Sequence, residues 1–535
     1  MSNPTETRKM YGLQDFFSHP DLQFASLLLF LFLLISAKFI LSTDTLTKNK
    51  KKKSNLPPSP WKLPVLGNLH QLGTHLHRTL QSLSQTHGPV FLLHLGSAPT
   101  LIVSSPESAK EIMKTHDLAF SNRPHSAISN RLLYNYRDLS QAPYGDYWRQ
   151  MRSICVMRLL SAKRVESFRW IREQEAALLV DRIEEHAVSA AGAPLNLGEL
   201  ISRITNDIVC RVALGRKYGE AAGDGEKGKG KNFKLLLEEF GAALGAVNVA
   251  DFIPWLGWIN RFNGLNRKVE KVFREFDEFL DQVLEDHRLT SVIKEKSEEE
   301  WEEKEKDLVD VLLQFQRETP GFAVDRDTIK AIVLDMFAAG SDTTYTALEW
   351  AMTEILRHPR VMRKLQKEIR AIVGEKRYVK EGEIKQMDYL KAVIKESFRL
   401  HPPVPLLVPR ESNRHVKVQG YDVVEKTRVI VNAWAIGRDP KRWQDAEEFL
   451  PERFLNNKID FKGQDFELIP FGAGRRGCPG TSFATTSLEI TLVSMLHRFD
   501  WLMPAGEGGL DADEAPGLTV HRKTPLLVVP TLYSL

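Results

Sequence analysis

A chain of 535 residues, 42% apolar and 27% charged, can bury a sizeable core and lacks the bias of a disordered or fibrous protein. Its net charge of +4 is too small to argue for a nucleic-acid partner. Three cysteines, Cys155, Cys210 and Cys478, give no disulfide framework, so the folded part is expected in a reducing compartment.

Residues Leu22 to Leu41 are almost all apolar, and about 20 such residues suffice to cross a bilayer as a helix. Only Lys38 interrupts them, near enough to the end to snorkel. Lys48 and the run Lys50–Lys53 outnumber Arg8 and Lys9 on the other side, so the positive-inside rule predicts a lumenal N-terminus (1–21), a transmembrane anchor (22–41) and a cytosolic body. A cleaved signal peptide is the alternative, but the apolar run exceeds a usual signal core and the basic cluster follows it. A basic, proline-rich linker (42–62) comes next, in which Pro57-Pro58-Ser59-Pro60 stiffens the chain, and residues 63–535 are read as one domain.

Val90–Leu95 and Thr100–Val103, separated by Gly96, read as a hairpin, and further strands are expected at Val416–Val418 and Arg428–Asn432. Helical periodicity marks Glu173–Ala187, Leu235–Ala246, Leu265–His287, Thr328–Leu356 and Arg360–Val373. The predicted class is mainly α with a small β part (α+β). Gly223–Lys231 and Lys294–Lys306 read as solvated loops.

The chemistry concentrates at Phe471–Gly480, where Cys478 lies in a loop nearly free of side chains. Gly472, Gly474, Gly477 and Gly480 permit positive φ and close approach to something flat, while Arg475 and Arg476 bring positive charge near the sulfur. A helix is expected from Ser482, whose N-terminus would favour a thiolate. Within Thr328–Leu356, the run Ala338-Ala339-Gly340-Ser341-Asp342-Thr343-Thr344 breaks an apolar helix with glycine and four polar residues. It predicts a local kink and a place for a flat ligand to approach.

Phe471, Gly474, Arg476, Cys478 and Gly480 meet every fixed position of Phe-x-x-Gly-x-Arg-x-Cys-x-Gly, which resembles the haem-binding loop of the cytochrome P450 family. Ala339-Gly340-x-Asp342-Thr343-Thr344 is similar to that family's distal helix, and the anchor and proline hinge resemble its plant microsomal branch. The resemblance implies a haem b iron ligated by Cys478, with sulfur pushing electron density onto the metal. It also implies an Asp342–Thr343 acid–alcohol pair that relays protons for oxygen activation. Trp148 and Arg152, four apart on one helical face, match the family's Trp-x-x-x-Arg, and with Arg410 and Arg476 they are the implied haem-propionate partners. Glu396, Arg399 and Arg453 match its buried Glu-Arg-Arg network, a structural role holding the cysteine loop. Glu166–Arg169 and Glu354–Arg357 repeat the Glu-x-x-Arg spacing and are expected to be surface pairs.

By resemblance the substrate pocket draws on Phe120, Ala331, Asp335, Ala339, Val404, Val408 and Thr519, a largely apolar lining suited to a lipophilic molecule. The implied activity is insertion of one oxygen atom from O2 into a plant specialised metabolite, a terpenoid first, then a phenolic or coumarin-type compound or an alkaloid. NADPH would supply electrons through cytochrome P450 reductase, with cytochrome b5 as a second possible donor, at the endoplasmic reticulum membrane. A haem-thiolate isomerase or dehydratase that needs no external O2, or a non-catalytic haem protein, is the alternative.

Overall fold

The computed structural model describes residues 55–218, 229–296, 306–319, 324–504 and 510–534. The expected anchor, the lysine cluster and most of the two expected solvated loops lie outside them. Among the described residues, no helix is long and apolar enough to cross a membrane.

The helices that matter for the site are α1 (Asp146–Ile154), α2 (Arg169–Ser189), α3 (Leu197–Leu214), α4 (Leu265–Lys296), α5 (Arg326–Arg357), α6 (Pro359–Val373), α7 (Asp388–Leu400) and α8 (Thr481–Arg498). They surround α5, whose buried face runs from Thr328 to Leu356 and joins one large apolar core with α2, α3, α7 and α8. Asp325 starts α5 by accepting the Thr328 N–H at 2.9 Å, and Pro359 bars its continuation. The periodic stretches all fold as helices, although α4 runs nine residues beyond its expected end. α3 was not foreseen, and it lies directly against α5.

Val90–Leu95 and Ala98–Val103 form the expected antiparallel hairpin, with Phe91 opposite Ile102 and Gly96 at φ +60° in the turn. Arg428–Val431 pairs in parallel with Ala98–Val103, and Arg410–Glu411 closes the four-stranded sheet. Val416–Val418 pairs with Tyr421–Val423 as a separate hairpin. The folded body begins earlier than residue 63. Asn55 and Asp422 exchange backbone and side-chain hydrogen bonds of 2.7 and 2.8 Å, and the Leu92 N–H donates to Pro58 O at 2.8 Å, so the proline segment is docked on the sheet.

Candidate active site

Cys478 lies three residues before α8 and is solvent-accessible, whereas Cys155 and Cys210 are buried in the helical core. The loop is pinned by the Cys478 N–H, which donates to Phe471 O at 2.9 Å, and by the Phe471 ring packing against Phe398 and Phe461. Only Gly472 (φ +66°) and Gly474 (φ +68°) occupy the left-handed region; Gly477 and Gly480 do not. A Cβ on Gly474 would meet Met113 O at 2.1 Å, so this glycine admits the neighbouring backbone and not a flat ligand.

Although the residue keeps accessible surface, desolvation by the surrounding loop raises the pKa of the Cys478 thiol; the Gly480 backbone, the Arg152 guanidinium and the Thr481 hydroxyl pull the other way without reversing it. The arginine that bears on the sulfur is therefore Arg152, on α1, and not the adjacent pair expected from the sequence. Arg475 is exposed and faces Asp117 at 3.4 Å. Arg476 turns inward and donates to Ser121 O at 2.7 Å and Ala142 O at 2.6 Å, with its guanidinium 4.3 Å from the Trp148 ring centroid. The Trp148 indole donates to Leu139 O at 3.1 Å. Arg410 bonds Asp117 at 2.9 Å and Ala473 O at 2.6 Å. Among the described residues the Arg152 guanidinium has neither a hydrogen-bond nor an ion-pair partner.

A fourth guanidinium, Arg123, escaped the sequence reading. It is buried and donates only to the carbonyls of Ser140, Val408 and Pro409. Burial, Arg476 and Arg410 all hold its pKa down. Arg476 is likewise pushed down to about 9, by burial first and Arg410 second. The carboxylates acting on these four arginines are Asp117 and Asp138, so the cluster holds a surplus of buried positive charge. Asn122-Arg123-Pro124 is extended chain bridged to Glu411, with no spacing in the sequence that points to a ligand.

α5 stays α-helical from Arg326 to Arg357, so the Gly340–Thr344 run does not interrupt the helix. A Cβ on Gly340 would meet Val209 Cγ2 at 3.2 Å, so the glycine seats α3 against α5 and does not face a flat ligand. The accessible face is formed by Ala339 and Thr343, one turn apart, and the Thr343 hydroxyl donates to Ala339 O. Asp342 is not hydrogen-bonded to Thr343. Its carboxylate accepts from the Thr519 hydroxyl at 2.5 Å and lies 3.2 Å from His521 Nε2. Burial alone would raise the Asp342 pKa, but the His521 bond and charge, with Thr519, bring it below the usual range.

The pocket expectations divide. Phe120 and Ala331 have no accessible surface and belong to the core. Asp335 accepts the Leu139 and Ser140 N–H groups at 2.6 and 3.2 Å, tying α5 to the segment that also receives Trp148 and Arg476. Burial and the neighbouring Asp138 push its carboxyl up to about 8. Ala339 is exposed, and Val404, Val408 and Thr519 are half-buried. Glu396 accepts from Arg399 at 2.7 and 2.8 Å and from Arg453 at 3.0 Å. Arg399 also bonds the carbonyls of Gly437, Ala446 and Glu448, so the network organises 437–453, while α7 reaches the cysteine loop through Phe398. Glu166–Arg169 is the expected surface pair, but Glu354 is buried and also bonds His401 at 2.9 Å.

The cytochrome P450 family model matches residues 57–529. The sequence is 52% identical to cytochrome P450 736A117 of Prunus mume over 99% of both chains. It is 54% identical to cytochrome P450 71A6 of Nepeta racemosa over 89% of this chain and 94% of that one. The chain belongs to the cytochrome P450 family. A further relative, the norfluorocurarine oxidase of Strychnos, is 45% identical over 94% of this chain and 97% of its own. A solved zebra fish cytochrome P450 shares the fold with a TM-score of 0.70 at 24% identity, covering 86% of this chain and 100% of that one.

The protein is thus a plant P450 monooxygenase of specialised metabolism, an oxidoreductase whose family uses a cysteine-ligated haem, O2, a lipophilic substrate and a redox partner. The residues here fit that group. The accessible sulfur is the soft donor haem iron requires, and the surplus guanidinium charge beside it suits two anionic propionates.

Proposed function

We propose that Cys478 is the haem ligand and that Arg152, Arg410 and Arg476, with Trp148 stacked beneath Arg476, form the propionate-binding side. The observation that carries this reading is Arg152. A guanidinium whose burial lowers its pKa, paired with nothing among the described residues and acting on the one accessible thiol, calls for an anionic partner next to a sulfur ligand. The bound haem supplies the oxygen-activating chemistry, with thiolate donation favouring O–O cleavage.

The chain's own residues then have distinct tasks. Insertion of one oxygen atom from O2 reduces the other to water and consumes two electrons and two protons. Thr343, on the accessible face of α5, and Asp342 beside it hold and move those protons. Glu396, Arg399 and Arg453 keep the 437–453 segment in place without entering the chemistry. Ala339, Val404 and Val408 offer apolar surface to a lipophilic plant metabolite, a terpenoid first and a phenolic compound or an alkaloid after it. Electrons reach the site from NADPH through the flavoprotein reductase, with cytochrome b5 as a second donor.

Residence at the endoplasmic reticulum membrane is supported by the apolar stretch Leu22–Leu41 and by the surface near the start of the folded body. The Gly96 and Ser97 N–H groups donate to the Leu66 and Phe252 carbonyls, which brings the segments at 61–66 and 252–262 to this turn, and in those segments Trp61, Trp255, Trp258 and Phe262 are 56% to 81% exposed. Exposed tryptophans on one side suit a membrane interface.

The test is the reduced, carbon-monoxide-bound difference spectrum of the native chain and of Cys478→Ala. A thiolate-type Soret band in the native protein, lost in the variant, is expected. A haem-loaded native protein with only a histidine-type band would overturn the assignment.

A further inference from the structure

Asp342, Thr346 and Glu349 recur along one face of α5 at spacings of four and seven, with Tyr345 beside them. Across from that face runs the segment Leu518–Arg522, in which Thr519 and His521 both point at the helix while Val520 between them accepts the Trp350 indole at 2.7 Å. His521 is held from behind. Its carbonyl accepts the Ala515 N–H at 2.8 Å, and Glu514 and Arg522 form a β-bridge.

The hydrogen bonds around the His521 ring identify its proton state. Thr346 donates its hydroxyl proton to Asp342 O at 2.8 Å, so toward His521 Nδ1, 3.0 Å away, it offers only an acceptor. Thr519 donates its proton to Asp342 Oδ2, so toward His521 Nε2, also 3.0 Å away, it likewise offers only an acceptor. The remaining Nε2 neighbour is Asp342 Oδ1 at 3.2 Å. With the Thr346 and Thr519 hydroxyls donating to Asp342, both ring nitrogens face acceptors, an arrangement that favours the imidazolium over either neutral tautomer. The groups around it agree. Asp342 and Glu349 come from α5, the Tyr345 ring stacks on it at 5.4 Å, and the neighbouring Arg522 cation is drawn off by Asp511 and Thr524. The His521 side chain is 28% exposed, enough to exchange protons with water.

We propose that His521 is the positioning residue that reloads Asp342 with protons during turnover. The inference rests on the relay role assigned to Asp342 and Thr343. The His521 Nε2–H passes its proton to the Asp342 carboxylate at Oδ1, the Asp342 carboxyl so formed gives a proton toward Thr343, and the neutral imidazole regains one at Nε2 from solvent, which restores the ion pair. No bond other than N–H and O–H changes, and the net reactant is a solvent proton. The Asp342 side chain is itself 46% exposed, so direct exchange with water is the competing route that His521→Gln leaves in place.

The test uses the haem-loaded full chain with a reductase and compares His521→Gln, Asp342→Asn and the double variant with wild type across neutral and mildly alkaline pH. Two quantities are read: product and peroxide per NADPH, and thermal unfolding. In wild type, product per NADPH is expected to fall as pH rises through the raised His521 pKa. His521→Gln is expected to show a severalfold lower ratio with excess peroxide and no such pH limb. In unfolding, the two substitutions should be non-additive at neutral pH, with the coupling fading as pH rises through that same pKa. If unfolding shows the coupling but His521→Gln keeps the wild-type ratio and pH profile, the residue is a clamp and the proposal is overturned. Additive unfolding overturns it as well, because the ion pair is then absent. Full coupling of oxygen to product in Asp342→Asn sinks the underlying relay reading instead, so the two failures are separable.

Discussion

Arg399 closes on Glu396 through two nearly parallel N–H···O bonds of 2.7 and 2.8 Å, and neither side chain has any accessible surface. The geometry satisfies both carboxylate oxygens, with the Leu450 N–H and Arg453 completing Glu396 Oε1 at 2.8 and 3.0 Å. A buried ion pair is tolerable only when every polar atom is matched in this way, and removing one partner strands the other charge. Arg399→Ala is therefore expected to destabilise the fold by about 3–5 kcal/mol. Denaturant unfolding of haem-loaded protein checks it; a loss below about 1 kcal/mol would contradict the burial argument.

Glu354 gives a pH prediction. Burial would raise its pKa, but the hydrogen bond and charge of His401, with Arg357 and His358, hold it down to about 2. A carboxylate with a depressed folded pKa contributes stability that is present above its unfolded value and lost as pH falls toward about 2. His401, stacked on Trp350 with ring centroids 4.2 Å apart, has a lowered pKa because burial outweighs Glu354. Its folded form therefore resists protonation, and stability also declines below the ordinary histidine range. Both effects point the same way, so unfolding temperature should drop steadily on acidification. Glu354→Gln should be less stable at neutral pH and show a shallower acid slope.

The contact between Gly340 and Val209 predicts a size-dependent response. Gly340→Ala places a methyl group 3.2 Å from Val209 Cγ2 while improving helix propensity by about 1 kcal/mol, so the two effects should nearly cancel. Gly340→Val adds bulk that cannot be relieved and should cost about 1–3 kcal/mol, partly recovered by Val209→Ala. A double-mutant cycle in thermal unfolding measures this coupling. Additivity would mean that α3 and α5 do not meet at this point.

Thr343→Ala separates relay from packing. Its hydroxyl donates to Ala339 O within the helix, so removal costs little stability. Product per NADPH is expected to fall and peroxide to rise, with the carbon-monoxide spectrum unchanged. Unchanged product per NADPH without extra peroxide would show that Thr343 moves no proton.

What the sequence determined by itself was local. Periodicity placed the five long helices and alternation placed the hairpin, because both depend on neighbours within a few residues along the chain. The Phe471–Gly480 spacing and the Ala339–Thr344 run pointed to one family because their chemistry is contained in short segments. α3 was missed although its signals are local: Asn196 caps it by accepting the Glu199 N–H, and Gly215 ends it in the left-handed region. Which residue serves which neighbour belongs to the tertiary structure. Arg152, and not Arg475, acts on the sulfur because α1 packs over the loop. Gly340 faces Val209 because α3 crosses α5 there. Asp342 pairs with Thr519 and His521 across more than 170 residues, a meeting that only the return of the C-terminal segment onto α5 brings about. No local pattern encodes such partners, since side-chain direction and long-range packing decide them together.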